Sequence, residues 1–165
     1  MGLNPYETME ELIKKKLFGS NFVTNEAVEH GKKTESKANL FFSILKNRNY
    51  EPAVFVQAPF SASLDGYHEE SKTMLEIKCL LKKESPSWKD FWEKQIILPY
   101  YWAQIQCELY CSETSKAYFL VYFQDNDYVI QEVCLDESFI QEMLVKGHRY
   151  LKQLNQYKEL LKNKE

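Results

Sequence analysis

Glu76 and Lys78 stand two residues apart in Leu75-Glu76-Ile77-Lys78-Cys79, a stretch whose apolar and β-branched residues read as a strand. Residues i and i+2 of a strand share a face, so the acid and the amine point one way while Leu75, Ile77 and Cys79 point the other. Taken alone, such a pair is ordinary for a half-covered sheet. Asp65 adds a second carboxylate, at the end of the preceding strand in Ser63-Leu64-Asp65-Gly66. If the two strands pair as a hairpin, Asp65 and Glu76 converge at one sheet end. With Glu35 from a packed helix, they make a hard-oxygen site suited to Mg²⁺ or Mn²⁺. Lys78 beside such a cation could orient or help deprotonate a water and stabilise phosphoryl charge. Tyr101 and Gln104, three apart on one face of the next helix, are placed to touch substrate or the attacking water.

The elements that must position these groups are legible in order. Thr8-Met-Glu-Glu11 is a capping box, and a helix is expected from it to about Phe18, stopped at Gly19. Asn25 caps a second helix running to about Asn47. Its apolar stripe, Val28, Gly31, Glu35, Ala38, Phe42 and Leu45, contains one carboxylate, and Gly31 suggests close approach of another backbone. Strands are expected over Ala53 to Gln57, Phe60 to Leu64 (with a turn at Asp65-Gly66) and Thr73 to Cys79. Glu84 to Lys94 reads as a short helix or a loop over a groove. Pro99 opens a helix to about Cys111. Lys116 to Phe123 and Tyr128 to Val133 form a hairpin around Gln124-Asp-Asn-Asp127. A long helix follows from Asp136 to about Asn163, with Met143, Gly147, Tyr150, Leu154, Tyr157 and Leu161 on one side for packing or a subunit contact. The order predicts an α/β fold, a mixed central β-sheet flanked by helices.

Composition excludes several classes. The 165 residues are 44% hydrophobic and 15% aromatic, which rules out a disordered chain. The 21 basic residues against 24 acidic ones, a net charge of −3, argue against a simple nucleic-acid coat protein but not against an enzyme acting on nucleic acid. Lys14-Lys15-Lys16, Lys32-Lys33, Lys82-Lys83 and the tail lysines are the local basic patches. No apolar run reaches the length of a membrane span and no signal peptide is evident, so a cytoplasmic protein away from membranes is expected. Cys79, Cys107, Cys111 and Cys134 include no C-x-x-C pair and are expected to be reduced, mostly buried thiols.

The order of these groups resembles the PD-(D/E)xK nuclease superfamily, and within it the phage lambda exonuclease and YqaJ-type viral recombinase family. Asn25-Glu-Ala-Val-Glu-His-Gly-Lys-Lys-Thr-Glu35 is similar to the family's G-x-x-x-E helix. Ser63-Leu-Asp-Gly66 resembles its S-P-D-G turn, Leu75-Glu-Ile-Lys-Cys79 its L-E-[IL]-K-C-P strand, and Tyr101-Trp-Ala-Gln-Ile-Gln106 its Y-x-x-Q-[IV]-Q helix. The likeness runs collinearly over nearly the whole chain. Leu64 and Leu80 stand where the family has Pro, which alters turn stiffness and not ligand chemistry.

The resemblance implies a restriction-endonuclease-like core and one nuclease domain over residues 1–165, lacking a family segment ahead of Asn4-Pro5-Tyr6 that receives DNA phosphate. It implies Asp65, Glu76 and the main-chain carbonyl of Ile77 as metal ligands, with Glu35 binding or water-bridging the metal. Lys78 would act at the nucleophilic water and scissile phosphate, and Gln104 would complete the site. Ser63, Tyr101, Lys32 and Lys33 are weaker candidates for substrate contact. The implied chemistry is Mg²⁺-dependent hydrolysis of DNA, with Mn²⁺ able to substitute, usually 5′-to-3′ on linear duplex ends in phage or prophage recombination. The implied partners are DNA, two further copies of the chain in a ring-shaped trimer, and a single-strand annealing recombinase. Two alternatives stay open: a shortened, inactive DNA-binding remnant, and another repair or restriction nuclease of the superfamily.

Overall fold

The computed structural model describes residues 26–163, with side chains from Glu29 onward. Helix α1 (Glu26–Lys46) opens the described chain. Ala38 and Phe42, four apart and fully buried, form its contact with the sheet. It ends where Asn47 takes a left-handed conformation (φ 51°), which Asn tolerates better than most residues, and the Arg48 N–H returns to the Ser43 carbonyl at 3.0 Å. Leu45, expected on the buried stripe, is exposed, because the stripe turns off the sheet after Phe42. Among the described residues nothing lies within 4 Å of a Cβ built on Gly31, so the close approach expected there is not seen.

Five strands follow in one mixed sheet whose spatial order is the chain order: β1 (Glu51–Gln57), β2 (Phe60–His68), β3 (Thr73–Cys79), β4 (Lys116–Gln124) and β5 (Asp127–Cys134). All neighbours are antiparallel except β3 and β4, which run parallel with Glu76 beside Phe119 and Lys78 beside Val121. A parallel pair needs a crossover. It is made by a short 3₁₀ turn (Pro86–Trp88), helix α2 (Lys89–Lys94) and helix α3 (Pro99–Ser112). Pro99 sits in the first turn of α3, and Glu113 ends it in the left-handed region (φ 54°).

The sheet is covered on both faces, not one. Leu75 and Ile77 pack with Ala38, Phe42, Tyr50, Tyr118 and Leu120 on the α1 side. Leu64, Met74, Ile105, Leu109, Phe119 and Val121 form the larger core on the α3 side. Glu76 is therefore 2% exposed in a strand buried on both faces. This is the geometry of a parallel pair in an α/β fold, where strands lose the polar outer face that a half-covered sheet keeps.

β2 departs from the expected pattern in one place. Asp65-Gly66 is not a turn; the strand runs through it to His68, and the turn lies at Glu69 to Lys72. Against β1, Ala53 pairs with Leu64 and Glu51 with Tyr67, so three steps on β2 oppose two on β1: a β-bulge. Leu64 and Tyr67 both join the α3-side core as a result, and Gly66 is pressed against the α1 side. A Cβ on Gly66 would stand 2.8 Å from Tyr50 Cβ and 3.1 Å from Leu75 Cβ, so the position accepts only glycine without displacement.

The described residues up to Asp136 form one compact unit; the second contains helix α4 (Glu137–Lys162). On α4, Ile140, Met143, Gly147 and Leu154 are buried, whereas Tyr157 and Leu161, expected on the same face, are exposed. The helix expected from Thr8 to Phe18 lies outside the described residues. All four cysteines are free thiols; Cys111 is buried, Cys79 and Cys107 half-buried, and Cys134 exposed. No helix among the described residues is long and apolar enough to cross a membrane.

Candidate active site

The bulge in β2 re-aims Asp65 toward β3. The registered pairing of the two strands ends at Gly66 and Leu75, and beyond it the Ile77 N–H donates to Asp65 Oδ2 at 2.7 Å. The Asp65 main chain is held from the other side, where Asn39 Nδ2 of α1 donates to its carbonyl oxygen at 2.9 Å. Asn39 itself is braced by Ser43, whose hydroxyl donates to Asn39 Oδ1 at 3.3 Å. The carboxylate is thus held by a strand and its main chain by a helix.

Glu76 Oε1 is the meeting point of the site. The Lys78 ammonium, its neighbour on the same strand face, donates to it, and Gln104 Nε2 of α3 donates to it at 2.9 Å. Lys78 Nζ also lies 4.8 Å from the centre of the Tyr101 ring, a cation–π contact, and Trp88 stacks on the other partner of that contact with ring centres 5.3 Å apart. Tyr101 therefore acts on the lysine.

The charges conflict with their burial. Burial pushes the Glu76 carboxyl up to about 7, against the pull of Lys78 and with the Asp65 charge adding to the rise. Burial and then the charge of Asp65 also raise Glu35, which faces Asp65 from α1. For Lys78, burial works against the ammonium, but Glu76, Asp65 and Glu108 outweigh it and hold its pKa above the ordinary value. The result is a group of carboxylates gathered around one amine, in which the Asp65 charge raises both Glu35 and Glu76.

The site thus brings together Asp65, Glu76, Lys78, Gln104 and Tyr101, with Glu35 beside Asp65. Ser63 lies two residues from Asp65 and is exposed, while Lys32 and Lys33 are exposed on α1 in the turn before Glu35. Sequence reasoning missed Glu108. It is 3% exposed, accepts from Gln104 Nε2 at 2.7 Å through Oε1, and its buried Oε2 has no hydrogen-bond partner among the described residues. Burial, then the Glu76 charge, pushes its carboxyl up to about 9. The available signal was its spacing, four residues after Gln104 on the same helix face. The other glutamine of that segment, Gln106, is structural. Its Nε2 donates to the Cys134 carbonyl at 2.9 Å and its Oε1 accepts the Asp136 N–H at 2.8 Å.

The donors are chemically suited to a hard divalent cation. They are carboxylate oxygens, those of Glu76 buried and those of Asp65 half-buried, and a cation would relieve their repulsion. Asp65, Glu76 and the adjoining main-chain carbonyl of Ile77 are the groups that could hold it. Glu35 lies beside Asp65, and among the described residues no group of three or more His, Cys, Asp and Glu side chains is already arranged to hold a metal ion.

The fold is similar to that of an alkaline exonuclease, LHK-Exo, from Laribacter hongkongensis, with 24% identity and a TM-score of 0.80 over 94% of this chain and 82% of that one. A structure of LHK-Exo in complex with dAMP matches with 25% identity and a TM-score of 0.75, over the same shares of 94% and 82%. A phage-related exonuclease from Haemophilus somnus 129PT matches with 16% identity and a TM-score of 0.76, over 93% of this chain and 82% of that one. No curated protein sequence matches the chain. The family model of the YqaJ-like viral recombinase domain matches residues 1–115, which carry the bulged aspartate, the Glu-Ile-Lys strand and the glutamine helix. By that match the chain belongs to the YqaJ-like viral recombinase domain family.

Proposed function

We propose that this protein is a DNA exonuclease that hydrolyses phosphodiester bonds with Mg²⁺, Mn²⁺ substituting, acting on the 5′ ends of linear duplex in phage-type recombination. The observation that carries the reading is the convergence on Glu76 of Asp65, Lys78 and Gln104, from a bulged strand, a buried strand and a helix, in a chain of this family. The exonuclease names of its structural neighbours support the same class.

In this reading Asp65, Glu76 and the Ile77 carbonyl hold the cation, with Glu35 contributing beside Asp65. The bound cation would supply a lowered pKa for a coordinated water and charge neutralisation at the phosphate. The protein's own groups do the rest. The Lys78 ammonium stays protonated next to Glu76 and meets the negative charge that develops on the phosphoryl oxygens. Tyr101 confines that ammonium to one side, so its direction is set before substrate arrives. Gln104 fixes the Glu76 carboxylate by donating to its Oε1, and the Asp65 side chain lies against the same carboxyl. Ser63, Lys32 and Lys33, on the exposed rim, are assigned to contacts with the DNA backbone. The whole chain is read as one nuclease that works as a trimer beside a single-strand annealing recombinase.

The test is a time course on linear duplex with one phosphorylated 5′ end, run with Mg²⁺, with Mn²⁺ and with EDTA. Metal-dependent release of mononucleotides from that end, reduced by orders of magnitude in Glu76→Ala, is expected. Cleavage that persists in EDTA, or equal rates for the variant, would reject the reading.

A further inference from the structure

Gln104 is useful to Glu76 only in one rotation. Turned by half a revolution, its carboxamide would set a carbonyl oxygen against a carboxylate, two acceptors facing each other. The structure contains the group that decides this. The Gln104 amide nitrogen lies between two carboxyl groups, 2.9 Å from Glu76 Oε1 and 2.7 Å from Glu108 Oε1, so both of its hydrogens are engaged. The carbonyl oxygen is left on the side away from both.

Glu108 makes little sense as a contribution to the fold. It is 3% exposed in a helix whose neighbouring buried residues, Ile105 and Leu109, belong to the apolar core, and its Oε2 has no partner among the described residues. An apolar side chain of the same volume would avoid the cost of a half-satisfied buried carboxyl. The one side-chain hydrogen bond of Glu108 among the described residues is as an acceptor aimed at Gln104, and its charge also reaches Lys78.

We propose that Glu108 is a positioning residue that acts through Gln104, locking its carboxamide in the rotation that presents Nε2 to Glu76. The inference rests on the nuclease reading for its consequence in catalysis but not for its geometry. Glu108 touches neither the phosphate nor the cation; it sets the direction of the one side chain that orients Glu76 from α3.

The experiment uses the full chain and the variants Glu108→Leu, Glu108→Met, Glu108→Gln and Gln104→Ala, with the double variant Gln104→Ala/Glu108→Leu. Side-chain amide resonances are recorded in ¹H–¹⁵N spectra, the Gln104 Nε2 pair being assigned by its loss in Gln104→Ala. That pair is expected at the downfield position of an amide with both hydrogens bonded to carboxyl oxygens. It should move toward the free-amide position in Glu108→Leu and Glu108→Met and stay in place in Glu108→Gln, which keeps an acceptor. An unmoved resonance in both apolar variants overturns the proposal whether or not the protein cleaves DNA.

In the cleavage assay, Glu108→Leu should lose about tenfold or more in kcat with little change in KM, as a defect confined to the reacting arrangement does. Glu108→Gln should restore most of that loss, and the double variant should be no slower than Gln104→Ala. Additive losses would mean that Glu108 acts independently of Gln104 and would overturn the proposal. Thermal midpoints serve as the control for folding. If an apolar variant fails to fold while Glu108→Gln stands at the wild-type midpoint, Glu108 is a structural residue and the proposal falls. A wild-type chain without turnover would reject the nuclease reading alone, and the resonance of Gln104 would still decide the role of Glu108.

Discussion

Asp65 Oδ2 accepts the main-chain N–H of Ile77 at 2.7 Å, so a carboxylate completes the hydrogen bonding of the strand that carries Glu76 and Lys78. The bond ties the two acids of the site together through the backbone. Asp65 cannot shift without releasing Ile77, whose neighbours on either side are Glu76 and Lys78. Its acceptor function and its charge are separable by substitution.

Asp65→Asn keeps an acceptor for Ile77 and removes the charge that faces Glu35 and Glu76. It should leave the thermal midpoint unchanged or raised, and abolish metal-dependent cleavage. Asp65→Ala should instead lower stability by about 1–3 kcal/mol, because a buried N–H loses its partner. Paired melting curves and duplex-digestion assays check both.

Gly66→Ala places a methyl 2.8 Å from Tyr50 Cβ and 3.1 Å from Leu75 Cβ. Neither atom is the end of a flexible chain, so the strand itself must move. A loss of about 1–3 kcal/mol is expected from overpacking. Because Asp65 is the adjoining residue, activity should fall further than stability explains. Urea unfolding and cleavage at a temperature where the variant is fully folded separate the two effects.

In EDTA the protein should be more stable in mild acid than in mild alkali. Glu76 and Glu108 have folded pKa values raised to about 7 and about 9, above the ordinary carboxyl value of 4.5. A raised folded pKa means that the folded state binds more protons than the unfolded one, so stability falls as pH rises. The contribution is complete below about 4.5, is lost through about 7 for Glu76, and continues to fall through about 9 for Glu108. Melting in EDTA at pH 5.5 and pH 8.5 should show the higher midpoint at pH 5.5. Glu108→Gln should flatten the difference.

Divalent cation should reverse that trend. At pH 8 the carboxylates are held together against their mutual repulsion, and Mn²⁺ at about 100 times its Kd would add about 2.7 kcal/mol. For a chain of this size that corresponds to a rise of roughly 5–10 °C in midpoint. The rise should be absent in Asp65→Asn and in Glu76→Ala. A midpoint that ignores Mn²⁺ in the wild-type protein would remove the metal from the proposed chemistry.

Much of this was legible in the chain. Alternation in Leu75-Glu76-Ile77-Lys78-Cys79 placed the acid and the amine on one strand face, and spacing placed Tyr101 and Gln104 on one helix face. Those are local periodicities, and local periodicity survives in the sequence. Glu108 shares the face of Gln104, yet nothing in its spacing distinguishes a buried carboxyl from a solvated one. Its burial depends on which side of α3 meets the sheet.

Element order, the residue types that could bind a cation, and the strand and helix faces that carry them all follow from local pattern in the chain. The tertiary structure alone decided that Asp65-Gly66 is a bulge within a strand and not a turn. An isolated glycine suits either, and the choice is made by Tyr50 and Leu75 closing on Gly66 from outside the strand. It also decided that Glu76 is buried, since a strand is dry on both faces only when β4 lies parallel beside it and α1 and α3 cover it. Pairing and coverage join residues far apart in the chain, and the energy that selects them is set by contacts no local pattern records.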